Sequence, residues 1–499
     1  MKKINFLLLI LLLFGLASCD KKTDTPKTDA DFINVFPVSS YNDTLKVTLG
    51  DVMPFYDNGV MNIYHLQNTV GTNSKYYHPI SRLTTTDFVH YNDEGIAINF
   101  EEDPRSPDAA LGTGSFIKDA DGIYHAFYTG HNDISDSGLR YIEVIRHATS
   151  PDQVNWTKDA TFNLYGESND FRDPFVYYDD IDAVYYMLVT TRTNDDAVIK
   201  QYKSNTLNAS SDDWEDCGIF YNEPSSSYNM ECPSYYEYNG YYYLMFSEQG
   251  DNRVTHYRYK KNRNGEWLKF DRDTIDASGF YAGRLEKALD KLYAFAWCAN
   301  LTGGVTGSFD WGGNLVVHRI TQESNGELNA ILIDSVKEFY QNKVNYKDIA
   351  GKKVSSLSFK EGEFKCKAFD KLSKKTLRLS FEFSIDSVDG DFGLTFNTSK
   401  KDNMLGSAII SFDAKNKSLI CYNSVSNIIR YGTPLAQMAF LYQKNTTYTV
   451  DMIIEGEVIS CYLNNTIALT VRLPGITNKN FGFYANNLNV VVKEINFYE

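Results

Sequence analysis

The sequence predicts an all-β protein, a five-bladed β-propeller followed by a C-terminal β-sandwich. Three observations carry this expectation. Aromatic hairpins recur at a spacing of about 50 to 65 residues, the range of propellers and repeat arrays. Each alternates apolar and polar positions around an Asx-Gly or Asx-Asx turn, as antiparallel strands do. No stretch between them shows the apolar period of an amphipathic helix.

Each blade has its own hairpin. In chain order they run from Asp57-Asn58-Gly59 to Tyr64, from Asp121-Gly122 to Tyr128, from Asp179-Asp180 to Leu188, from Asn239-Gly240 to Phe246, and from Asp290 to Trp297. The aromatic blades stop near Trp311, and the run from Leu315 to Tyr340 reads as a closing strand and connector. Beyond it, Leu377 to Phe383, Tyr448 to Ile454 and Val490 to Ile495 alternate with period two between turns, the pattern of a sandwich. These readings place the propeller at residues 41–341 and the sandwich at 342–499.

The first residues read as an export signal. Lys2 and Lys3 precede an apolar run from Phe6 to Leu13, which suits a signal-peptide core and is too short to span a bilayer. Leu16-Ala17-Ser18-Cys19 resembles the bacterial lipobox, in which Cys19 becomes a lipidated first residue, so residues 1–19 are assigned to a lipoprotein signal and 20–40 to a polar tether. The expected location is a bacterial membrane, most consistent with the outer one, through this lipid anchor.

Composition narrows the function. With 64 Asp and Glu against 49 Lys and Arg, the chain lacks the basic balance that a phosphate backbone demands, and nucleic acid is not an expected partner. The 36 Tyr and 31 Phe favour strands; most are assigned to packing, and the remainder offer faces on which sugar rings stack. Six cysteines besides Cys19 show no CxxC pair and no metal spacing, and buried free thiols are expected. His65, His78 and His125 have no ligand spacing and read as structural. No cofactor or metal is expected.

Three acids stand just upstream of hairpins: Asp51 in Gly50-Asp51-Val52-Met53-Pro54, Asp173 in Phe171-Arg172-Asp173-Pro174-Phe175, and Glu231 in Met230-Glu231-Cys232-Pro233-Ser234. In a propeller the first strand of each blade lies nearest the axis, so acids in equivalent places of blades one, three and four are expected to converge in one pocket.

With these residues in view, the chain resembles glycoside hydrolase family 32, the β-fructofuranosidases that include invertases, inulinases and levanases. The early Asp, the Arg-Asp-Pro and the Glu-Cys-Pro carry the likeness, together with Asp276-Ala277-Ser278-Gly279-Phe280-Tyr281-Ala282. Tyr64-His65-Leu66-Gln67, Asp87-Phe88-Val89-His90-Tyr91, Gly112-Thr113-Gly114-Ser115 and the hairpin from Glu455 to Asn464 add to it. The resemblance implies a propeller joined to a sandwich and a retaining hydrolysis of fructofuranosides such as levan, inulin or fructo-oligosaccharides. In that reading Asp51 is the nucleophile, Glu231 the acid and then base, and Asp173 the carboxylate that stabilises the transition state. Gln67, Ser115, Arg172 and Tyr281 are the expected sugar-binding residues. One departure bears on substrate identity: the family's Trp-Met-Asn-Asp-Pro-Asn-Gly is here Leu49-Gly50-Asp51-Val52-Met53-Pro54, without the Trp and both Asn. Two other readings stand beside this one, an inverting arabinan- or xylan-cleaving glycosidase on a related propeller and a non-catalytic surface glycan-binding lipoprotein.

Overall fold

The computed structural model describes residues 35–41, 45–68, 78–133, 137–193, 196–223, 228–250, 253–301, 309–360, 362, 364–372, 376–399, 401–423, 425–426, 429–430 and 434–499. Cys19 with its lipobox, and most of the tether, lie outside these residues. Strands dominate, and a single short α-helix, Asp334–Phe339, occurs among the described residues.

Five strands begin the N-terminal meanders: β1 (Leu49–Asp57), β2 (Ala110–Lys118), β3 (Phe171–Asp179), β4 (Met230–Tyr238) and β5 (Tyr281–Ala288). Each turns back antiparallel on an apolar, aromatic second strand, for example Val60–Gln67 after β1 and Tyr241–Glu248 after β4. The turns follow from their sequences. Asn58-Gly59 and Asn239-Gly240 put two successive residues at positive φ, 49° and 85° in the first and 47° and 79° in the second, which matches the right-handed twist of the flanking strands.

The five strands touch in a cycle, β1 with β2, β2 with β3, β3 with β4, β4 with β5 and β5 with β1. Leu49 of β1 also pairs with Gly313 of strand Phe309–Gln322, so strands from the start and the end of this region share one eight-stranded sheet. Gly313 is needed there, because a Cβ would lie 1.8 Å from the Cys298 carbonyl oxygen.

The C-terminal region forms a seven-stranded and a six-stranded sheet around one core. Strand Thr376–Ile385 shows why: Leu379, Phe381, Phe383 and Ile385 are buried on one face while the intervening residues are half-buried. Phe381, Phe383, Phe392, Phe412 and Phe483 interlock in that core as stacked, tilted and edge-to-face pairs.

The two regions are joined by backbone contact and a buried polar relay. Asp276 accepts the Thr470 N–H at 2.7 Å through Oδ1, and its Oδ2 lies 2.8 Å from His318 Nε2. His318 Nδ1 meets the Tyr462 hydroxyl at 3.0 Å. Beside this relay a Cβ on Gly279 would lie 1.9 Å from the Thr470 carbonyl oxygen.

Two sequence expectations change here. Residues 35–39, assigned to the tether, belong to the folded body: Val35 and Phe36 are buried and both N–H groups donate to Glu455 Oε2, at 2.8 and 3.3 Å. Apolar burial and a matched carboxylate outweigh the freedom of a linker. Of the six described cysteines five are buried, but Cys217 is exposed.

Candidate active site

All five inner strands carry the same irregularity near their start. The register with the second strand slips across Gly50 to Val52, Gly112 to Gly114, Arg172 to Phe175, Glu231 to Ser234 and Tyr281 to Arg284. These are β-bulges, which re-aim side chains. Four place a non-glycine residue in the left-handed region: Asp51 at φ 25°, Asp173 at 58°, Cys232 at 54° and Ala282 at 55°. Pro174 and Pro233 follow two of them, where the slipped ladder has no use for an N–H.

The bulge corrects the expected equivalence of the three acids. Asp51 and Asp173 are the bulge residues of β1 and β3, whereas Glu231 stands one residue before the bulge residue Cys232, in the position of Arg172 and Tyr281. All three acids nevertheless line one cavity of about 200 Å³, beside Arg172, Thr113 and Trp311.

Each carboxylate is held differently. Asp51 accepts from Thr113 Oγ1 through Oδ2 at 2.9 Å and from Trp297 Nε1 through Oδ1 at 3.0 Å. Asp173 accepts the Cys232 N–H at 2.9 Å, while its own N–H donates to Thr129 Oγ1 at 2.9 Å, which in turn donates to the Thr113 carbonyl. Glu231 receives two guanidinium N–H groups of Arg172 on Oε1, at 3.3 and 3.0 Å, and the Tyr281 hydroxyl on Oε2 at 2.5 Å.

Arg172 is the hub of the electrostatics. Beyond Glu231 it donates to Glu143 at 3.1 Å, Asp170 at 2.8 Å and Gln249 at 3.2 Å, and its Nε lies 4.0 Å from Asp173. A planar guanidinium with five donors suits this fan of acceptors. Burial pushes the Glu231 carboxyl up to about 7; Arg172 opposes this, and the charge of Asp173 adds to it. Asp173 is also raised by burial, against the pull of Arg172 and Arg284. Burial raises the Cys232 thiol well above its ordinary value, so the residue between the two acids is a neutral, unsolvated neighbour.

Several sequence-predicted residues fall into place and others do not. Arg172 and Tyr281 reach the acids directly. Gln67 does not line the cavity: it is buried, its amide donating to Ser39 Oγ and accepting from Ser81 Oγ, each at 3.0 Å. Ser115 accepts the Val176 N–H at 2.9 Å and borders a separate cavity farther along the strands. Two residues along β2 from Thr113 amount to about 7 Å of strand, enough to carry the side chain past the acids. His65 and His125 are buried in the fold, on the Ile63 carbonyl at 3.1 Å and against His147 at 2.9 Å. His78 meets the Gln67 carbonyl at 3.2 Å and also borders the acid cavity, its ring centroid 4.3 Å from that of Trp311.

Thr113, Trp297, Glu143 and Trp311 were not foreseen. Thr113 occupies the same bulge register as Asp51, a correspondence that strand pairing reveals and sequence alternation does not. Trp297 had no readable signal, because its contact with Asp51 spans 246 residues. Trp311 lies so close over β1 that a Cβ on Gly50 would be 2.5 Å from its ring, so that indole helps wall the cavity where the sequence lacks the expected Trp before the acid. Among the described residues no group of His, Cys, Asp and Glu is arranged to hold a metal ion.

Three carboxyls, Asp173 buried and Asp51 and Glu231 half-buried, share one cavity, with Glu231 raised to near neutrality and the other two fixed by directed donors, an arrangement of the kind glycosidases use. The profile of the glycosyl hydrolases family 32 N-terminal domain matches residues 52–328, and the chain belongs to that family. It is 29% identical over 265 residues to a raffinose invertase of Escherichia coli, an alignment covering 49% of this chain and 54% of that protein. It is 24% identical over 292 residues to a levanbiose-producing levanase of Geobacillus stearothermophilus, covering 50% and 65%. The aligned stretches thus span between half and two thirds of these relatives. In fold it is similar to a sucrose-6-phosphate hydrolase of Lactobacillus gasseri, with a TM-score of 0.70 at 18% identity over 94% of this chain and 92% of the other. A Bombyx mori family 32 β-fructofuranosidase variant in complex with sucrose is similar at a TM-score of 0.68 and 14% identity, over 93% and 94%.

Proposed function

We propose that this protein hydrolyses fructofuranosides, such as levan, inulin or fructo-oligosaccharides, by a retaining double displacement on a five-bladed propeller joined to a β-sandwich. The cyclic contact of five inner strands supports that architecture. The observation that carries the activity is the convergence of Asp51, Asp173 and Glu231 on one cavity, with Glu231 pushed up to about 7.

The roles follow from the environments. Trp297 and Thr113 fix the Asp51 carboxylate, and its remaining lone pairs attack the anomeric carbon. Arg172 occupies Glu231 Oε1, so the proton given to the leaving oxygen rides on Oε2, where Tyr281 orients it. The same carboxylate then takes a proton from the water that releases the sugar. Asp173 offers an oxygen not bound to Cys232 to the sugar hydroxyls and to the charge of the oxocarbenium-like transition state. No cofactor enters this cycle. The saccharide is the partner.

The test is the configuration of the first product, followed by NMR on levan, inulin, sucrose and raffinose before mutarotation. Retention is expected. An inverted first product, or release of sugar only from arabinan or arabinoxylan, overturns the retaining fructosidase in favour of the inverting alternative. Absence of release from every one of these substrates leaves the glycan-binding reading.

Export and anchoring form the second part of the proposal, supported by the apolar run and Leu16-Ala17-Ser18-Cys19. The wild-type protein is expected to fractionate with membranes and to carry acyl chains, and Cys19→Ala to be released or unprocessed. Wild-type protein found soluble and unacylated rejects the anchor.

A further inference from the structure

A second cavity, of about 440 Å³, opens near the far ends of β3 and β4 and shares no lining residue with the acid cavity. From Asp173 to Asp179 is about 20 Å of strand. Four half-buried rings, Tyr177, Phe220, Tyr235 and Trp267, wall it together with the cations of Lys260 and Arg263.

The two cations are treated unequally. Arg263 is fully matched: it donates to Asp179 Oδ2 at 2.8 Å and to both oxygens of Asp182. Lys260 ends strand Thr255–Lys260, is 7% exposed, and makes no hydrogen bond or ion pair with the described residues. Its ammonium lies 4.4 Å from the ring centroid of Trp267 and 5.6 Å from that of Phe220. Glu266 also borders the cavity but makes no ion pair with it. Burial, and then the charge of Arg263, lower the Lys260 ammonium to about 8. The ammonium opens on the cavity, and its three donors, facing aromatic rings and solvent and no carboxylate of the described residues, leave an anion's place unfilled.

We infer that this cavity binds a saccharide bearing an oxyanion, with the anion on Lys260 and the sugar ring against Trp267 and Tyr235. The unmatched ammonium selects an anion over a neutral sugar. The ring walls select a sugar over a bare ion, because they offer stacking surface that an inorganic anion cannot cover. Gln201 and Asp182, at the same cavity, supply acceptors for hydroxyl groups. This inference is independent of the hydrolytic reading, since none of its residues touches the acids.

The experiment is calorimetric titration of the full chain at pH 7 with glucose 6-phosphate and glucuronate, with glucose and inorganic phosphate as the separate halves of the ligand. At least one anionic sugar is expected to bind roughly ten-fold more tightly than either half. Which one does so distinguishes a phosphate from a carboxylate. Lys260→Met is expected to erase the difference and Lys260→Arg to keep part of it, with fructoside hydrolysis unchanged within about two-fold in both. In the wild type, NMR titration of the Lys260 ammonium is expected to show its pKa rising when the sugar binds, a readout that does not depend on how a variant folds. Equal binding by Lys260→Met, an unmoved ammonium, or inorganic phosphate binding as tightly as the anionic sugars overturns the proposal.

Discussion

Glu231→Gln is expected to lower kcat on a fructoside with a poor leaving group by roughly three orders of magnitude or more, and Asp51→Asn by at least as much. The two losses have different causes. Asn keeps the shape that Trp297 and Thr113 grip but removes the negative charge that attacks. Gln keeps the Arg172 contact through its amide oxygen, turns the Tyr281 oxygen from donor to acceptor, and carries no acidic proton to give. Glu231 donates only while protonated, and its carboxyl is raised to about 7, so wild-type kcat/KM is expected to fall as pH rises through about 7. In Glu231→Gln that alkaline limb is expected to vanish, because an amide does not titrate. Near-normal turnover in either variant removes that residue from the chemistry; a limb that survives in Glu231→Gln assigns it to another group.

The second large effect is expected at a residue that touches no acid. Gly279→Ala places a methyl group 1.9 Å from the Thr470 carbonyl oxygen, and both neighbours are backbone, so neither can rotate away. Relief requires parting the N-terminal and C-terminal sheets, which strains the Asp276 bonds to Thr470 and His318. Overpacking of this kind costs roughly 3 kcal/mol. Urea denaturation measures it, with a lowered midpoint as the expected result. Gly279 is also two residues from Tyr281, so hydrolysis is expected to weaken as the Tyr281 hydroxyl shifts on Glu231. A midpoint and an activity both equal to wild type would show that the sheets part there without cost.

What the sequence disclosed follows how local each determinant is. Asn58-Gly59 and Asn239-Gly240 fix their turns by themselves, and the acids announce themselves because each precedes such a hairpin. Thr113 stays hidden because strand alternation alone does not reveal a bulge, and the bulge decides which residue of Gly112-Thr113-Gly114-Ser115 meets Asp51. The placement of Gln67 is not legible because its amide is claimed by Ser39, from a segment whose polar surroundings read as a tether. Trp297 and Trp311 were invisible for a third reason: they lie near the end of the N-terminal region and reach the first strand only because both share its eight-stranded sheet.

That shared bulge has a consequence for how such a site changes over time. Its two central positions read Gly50-Asp51, Gly112-Thr113, Arg172-Asp173, Glu231-Cys232 and Tyr281-Ala282, ten side-chain slots presented by one repeated backbone gesture. The slots are not equivalent: a Cβ on Gly50 would meet the Trp311 ring at 2.5 Å and one on Gly112 would meet Thr129 at 2.9 Å, whereas the second residue of each pair sits where the ladder slips, and left-handed backbone there costs only about 1 to 2 kcal/mol. New reactivity is therefore open to substitution at the bulge residues and closed at the glycines beside them. Ala282 shares the left-handed φ of Asp173 but buries its methyl group in the core, so one repeated backbone gesture carries packing in one strand and charge in another.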